Sequence, residues 1–108
     1  MIRHTVVFSL AHADGSAAEA EFLDAARALA DIPGVERFEQ LRQVSPTSEF
    51  RFSFSMEFAD EHAYQGYNEH PDHVEFVRTR WQSEVADFQE LDFVALGQRQ
   101  GPARPVAP

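Results

Sequence analysis

Between Ala63 and Val77 the chain holds both of its tyrosines, Tyr64 and Tyr67, and two of its five histidines, His70 and His73. Phenol and imidazole together make a pair able to move a proton next to a carbonyl. Pro71 pushes His70 out of the α region and itself suits the first position of a new helix. The segment is therefore expected as two helical pieces broken at His70-Pro71, with His73 in the first turn of the second. The partial positive charge of a helix N-terminus keeps an imidazole neutral and basic. Glu69, Asp72 and Glu75 act in the opposite sense, and the sequence does not sign the sum. The bland alternative is that Tyr67 and His73 are amphipathic plugs of a hydrophobic core with their polar tips hydrogen-bonded. His70 and His73 could meet on a helix, but Pro71 separates them and no third ligand is evident, so no metal is expected.

Those residues need a frame, and the alternation of side chains supplies one. Ile2, His4, Val6, Phe8 and Leu10 share one face of a first strand. His4 is a polar residue within that apolar set, either a hydrogen-bonded core histidine or part of a pocket wall. Ser16-Ala17-Ala18-Glu19 reads as a capping box opening a helix whose apolar face is Phe22, Leu23, Ala26, Leu29 and Ala30. Ile32-Pro33-Gly34-Val35 stops it. A second strand, residues 35–44, has no fully apolar face and suits a sheet edge. Residues 50–58 are the clearest strand, with Phe50, Phe52, Phe54, Met56 and Phe58 at strict period two. Such a wall builds a core and could also line a site for an aromatic ligand. Asp60 is the expected N-cap of the tyrosine-bearing helix. The second helical piece is read through Trp81, Val85 and Phe88, and the last strand as residues 91–96. Residues 97–108, rich in proline and glycine, are expected as a flexible tail.

The order β-α-β-β-α-α-β predicts an α+β sandwich, helices over one face of a four-stranded antiparallel sheet. Thr5, Val7, Ser53 and Ser55 fall on the other face, which self-association would cover.

Composition narrows the function. At 108 residues and 44% hydrophobic, with ten phenylalanines, the chain is one packed domain. Without cysteine there is no disulfide, thiolate metal site or cysteine nucleophile. A net charge of −9 argues against nucleic acid. All nine basic residues are arginine, which excludes a Schiff-base lysine and a P-loop. No apolar run approaches the ~20 residues of a membrane span. The first residues enter a strand directly and leave no room for a signal peptide, so cytoplasm is the expected compartment.

Over residues 1–96 the chain resembles the stress-responsive dimeric α/β barrel (Dabb) family. The resemblance is carried by Met1-Ile2-Arg3-His4-Thr5-Val6-Val7-Phe8, Ile32-Pro33-Gly34-Val35 and Phe58-Ala59-Asp60. Tyr67-x-x-His70-Pro71-x-His73-x-x-Phe76 and Asp92-Phe93 complete it. It implies a ferredoxin-like fold and a homodimer joined through the sheets. The best understood enzymes of the family resemble a plant polyketide cyclase that makes olivetolic acid by intramolecular aldol condensation. Its base matches His73, its substrate-positioning tyrosine Tyr67 and its first-strand histidine His4. A further pocket histidine of the cyclase falls at Phe52, which implies a less polar pocket here.

The leading expectation is a homodimer with an apolar pocket lined by Val6, Phe8, Phe22, Phe52, Phe54 and Trp81, with His4, Tyr67 and His73 as its polar groups. Chemistry there would be cofactor-free, on a polyketide-like or aromatic compound. The alternatives are a non-catalytic, stress-related dimer and, ranked lower, a cofactor-independent monooxygenase.

Overall fold

The computed structural model describes residues 1–97. Strand β1 spans Ile2–Leu10 and helix α1 Ala17–Ala26, extended by a 3-10 turn over Arg27–Asp31. Strands β2, Glu36–Arg42, and β3, Phe52–Phe58, follow. Helix α2 spans Glu61–Glu69. Helix α3 begins as Pro71–Phe76, widens into a π-helical turn over Val77–Trp81 and ends at Glu84. Strand β4, Val85–Val94, completes a sheet of order β2-β3-β1-β4, antiparallel throughout. This is the α+β sandwich that the element order predicts and the ferredoxin-like fold that the family resemblance implies.

Register sorts the two faces. Val6 pairs with Phe54 and Phe8 with Phe52, so the apolar sets of β1 and β3 share one face. Helix α1 lays Phe22 and Ala26 on it, and Phe22 lies 6.0 Å from Phe8 between ring centroids. Each buried ring of this kind stabilises the fold by about 1.5–3 kcal/mol relative to an exposed one. Thr5, Val7, Ser53, Ser55, Leu41, Leu91 and Phe93 fall on the opposite face by the same pairing. The serines are buried, but Leu41, Leu91 and Phe93 stand exposed.

Local signals set the helix ends. Ser16 Oγ accepts from the Glu19 N–H at 3.2 Å, while the Glu19 carboxylate reaches past it to the Gly15 N–H. Asp60 Oδ1 accepts from the Ala63 N–H at 2.8 Å, as an N-cap should. His70 is extended, with ψ 135°, at the break before Pro71, and its own Nδ1 caps α3 by accepting from the Asp72 N–H at 3.1 Å.

Two strands depart from their sequence reading. β2 lies at the sheet edge, as expected, but a bulge between Glu36 and Glu39, with Arg37 at φ +51°, inserts an extra residue. That residue lets Phe38 point toward the helices, 5.7 Å from Phe54, and explains why neither parity looked apolar. β4 begins at Val85, not at residue 91, so Val85 and Phe88 are strand residues rather than the end of α3. The pairing of β1 from Ile2↔Val94 to Leu10↔Val85 demands this longer partner. The spacing of Trp81, Val85 and Phe88 imitated a helix, and Glu90 and Asp92 hid the period-two pattern on the helix-facing side of β4. The tail expected over residues 97–108 lies, beyond Gly97, outside the described residues. Among the described residues no helix is long and apolar enough to cross a membrane.

Phe8 is fully buried against Phe22, Phe52, Phe54 and Trp81. Phe8→Ala should cost about 3–5 kcal/mol of unfolding free energy, read by chemical denaturation.

Candidate functional site

The aromatic core under α1 is closed, but the space under α3 is not. No residue of Pro71–Trp81 is fully buried. Between this helix and the sheet lies a cavity of about 220 Å³. β1 contributes His4 and Val6 to its wall, β3 contributes Phe54 and Met56, and β4 contributes Phe88 and Glu90. Tyr67, His73, Phe76, Val77 and Trp81 close it from the helical side, and Leu29 from the end of the first helical segment. The π-helical turn carries Val77 and Trp81, and such turns recur at functional sites.

His73 and Tyr67 are in contact, their ring centroids 4.4 Å apart. His73 Nδ1 lies 3.2 Å from the Asn68 carbonyl oxygen, which assigns the proton to Nδ1 and leaves the Nε2 lone pair as the base. Burial lowers the His73 pKa from the usual 6.5, with His4 adding to the effect; the Asn68 carbonyl and Glu90 partly offset it. Burial, reinforced by the charge of Glu90, raises the Tyr67 phenol above its ordinary value. The Tyr67 hydroxyl has no hydrogen-bond partner among the described residues. A neutral base and a protonated donor thus face one cavity. His73 and Val77 also border a groove on the outer side of α3, beside Asn68, Val74 and Arg78, so the imidazole stands between cavity and solvent.

His4 belongs to a second polar group. Its Nδ1 lies 2.6 Å from Asp92 Oδ1, across the β1–β4 pairing. The Tyr64 hydroxyl donates to Asp92 at 3.0 Å and lies 2.8 Å from the same imidazole nitrogen. Burial and then the Asp92 carboxylate push the Tyr64 phenol up. Asp92 therefore holds His4 with Nδ1 protonated. Tyr64, read from sequence only as part of an apolar stripe, supports that hold.

The expected site residues divide. His4, Val6, Phe54, Tyr67, His73 and Trp81 line the cavity. Phe8 and Phe22 do not: both are sealed into the core. Phe52 borders a separate shallow depression with Leu23, Arg27, Gln40, Leu41 and Arg42, where the Arg42 guanidinium lies over its ring at 5.1 Å. Glu90 and Asp92 were missed as site residues. Their alternation with Phe88 and Val94 was the available signal, obscured by reading Phe88 into the helix. Among the described residues no three His, Asp or Glu side chains group to hold a metal ion.

The model of the stress responsive A/B barrel domain matches residues 2–95. This chain belongs to that family. A Dabb family protein with a ferredoxin-like fold from Mesorhizobium loti is 60% identical; the alignment covers 89% of this chain and 97% of that one, with a TM-score of 0.87. A dimeric ferredoxin-like protein of unknown function from Thermobifida fusca is 21% identical, over 87% of this chain and 90% of that one, with a TM-score of 0.70. A hydroxynitrile lyase from Passiflora edulis is 13% identical, over 92% of this chain and 96% of that one, with a TM-score of 0.76. The last two likenesses are of fold alone. Comparison with curated proteins finds no match.

The lowered His73 pKa has a sign for stability. The folded Dabb domain binds this proton less readily than the unfolded chain, so the contribution is full above about 6.5 and is lost as pH falls below it. The melting temperature should therefore fall more steeply from neutral to mildly acidic pH in wild type than in His73→Asn, read by differential scanning calorimetry.

Proposed function

We propose that this Dabb protein is a homodimer whose cavity binds a small apolar or aromatic molecule and performs cofactor-free acid–base chemistry on it. The observation that carries the reading is the His73–Tyr67 contact in the cavity wall, with His73 Nδ1 held by the Asn68 carbonyl. His73 Nε2 removes a proton from a carbon next to a carbonyl. The electron pair of the broken C–H bond moves onto the carbonyl oxygen, which accepts a hydrogen bond from the Tyr67 hydroxyl. In a cyclase-like, polyketide-type reaction the enolate carbon then attacks a second carbonyl of the same molecule, and His73 returns the proton to the new alkoxide. The resemblance to olivetolic acid-forming cyclases supports this direction.

The dimer reading rests on the sheet face that no helix covers. Leu91 and Phe93 stand exposed on β4 and Leu41 on the opposite edge strand, and large apolar residues left exposed on an uncovered sheet face suit an interface. The Thermobifida fusca protein of this fold is a dimer. Phe93→Asp should convert the dimer to monomer, read by analytical ultracentrifugation. A wild-type protein that sediments as a monomer would overturn the assembly.

Proton abstraction can be measured before the natural substrate is known. Deuterium exchange into phenylacetone, followed by proton NMR, should be faster with wild type than in buffer. His73→Ala should lose about a hundredfold or more of that acceleration, and Tyr67→Phe about a hundredfold. The rate should climb with pH and level off at a lower pH than for an ordinary histidine, because burial lowers the His73 pKa. Exchange no faster than buffer, with intact folding, would instead support a non-catalytic dimer.

A further inference from the structure

The cavity has a free carboxylate at its opening and no arginine, among the described residues, in its wall. Glu90 lies in the middle of β4, opposite Val6, on the face that looks toward the helices. It lines the cavity yet is solvent-exposed, so it stands at the mouth. Its neighbour Asp92 is committed to His4 and Tyr64, but Glu90 has no hydrogen bond or ion pair among the described residues. Among the described residues the arginines nearest in sequence are engaged elsewhere, Arg80 with Glu84 and Arg78 with Glu75. Beside Glu90 the wall is aromatic: Phe88 meets Trp81 edge-on, ring centroids 5.5 Å apart.

We propose that the cavity selects a substrate carrying a protonated amine, with the ammonium at Glu90 beside the Phe88 and Trp81 rings and the apolar body inside. This rests on reading the cavity as a ligand site. A carboxylate and π faces attract an ammonium, and both disfavour an anion. A carboxylate-bearing ligand would enter past Glu90 and find no guanidinium among the described residues of the wall. The net charge of −9 adds long-range attraction for cations. Glu90 also favours the imidazolium that forms when His73 takes a proton, since its charge acts directly on that ring.

The 108-residue chain carries a single tryptophan, Trp81, in the cavity wall, so binding reports itself as a change in its fluorescence. The probes are phenethylamine, phenethyl alcohol and phenylpropionate, three compounds of similar bulk and different charge. Wild type should bind the amine about fivefold or more tighter than the alcohol, with phenylpropionate weakest, and added salt should shrink the preference. Glu90→Gln should bring the amine down to the alcohol and leave the alcohol unchanged. Glu90→Arg should reverse the order in favour of phenylpropionate. Equal binding of amine and alcohol by wild type, or a preference that survives Glu90→Gln, overturns the amine assignment and leaves the ligand site standing. No response to any of the three probes overturns the ligand site itself, and the assignment with it.

Discussion

The site depends on one interrupted helix. Had the helix run on through residue 71, the Asn68 carbonyl would have accepted the Asp72 N–H in the ordinary ladder. Pro71 prevents this by turning His70 extended. The Asp72 N–H is taken by His70 Nδ1 instead, and the Tyr67 carbonyl by the His70 N–H at 3.2 Å. The Asn68 carbonyl is left free, and His73 Nδ1 takes it. One proline thus sets the tautomer of the imidazole, aims its basic nitrogen and brings it against Tyr67. The backbone groups orphaned by the break become the fixtures of the site.

The two halves of the helical layer are packed to different standards. Under α1, Phe8 and Phe22 are sealed against each other, and Phe8 packs on Phe54 at the border of the cavity. Under α3, nothing from Pro71 to Trp81 is fully buried, and a cavity remains. The closed half holds the strands in register, and that register places His4 opposite Asp92 and Val6 opposite Glu90. Rigid elements with a loosely covered flank are what a preorganised small-molecule site requires. The polar groups are graded by burial as well: His4 and Tyr67 lie inside, while Glu90 and part of Asp92 remain in contact with water.

Local chemistry was legible wherever a few adjacent residues decide it. The sequence by itself determined the element order, the apolar faces of β1 and β3, the Ser16 and Asp60 caps and the break at His70-Pro71, because each follows from propensity, period or a missing N–H over a short span. It also marked Tyr67, His73 and His4. What only the tertiary structure decided is which of the aromatic residues close a core and which border a cavity. Phe8, Phe22 and Phe54 are alike in sequence pattern, and only the position of α3 separates Phe54, in the cavity wall, from the other two. The extent of β4 and the roles of Glu90, Asp92 and Tyr64 were hidden for the same reason. Two carboxylates on the inward face of a strand break the apolar alternation that announces a strand, and their placement becomes intelligible only when β1 lies beside them and supplies His4 as a partner. Pairing between residues distant in the chain is set by the register of whole strands, which no local window contains.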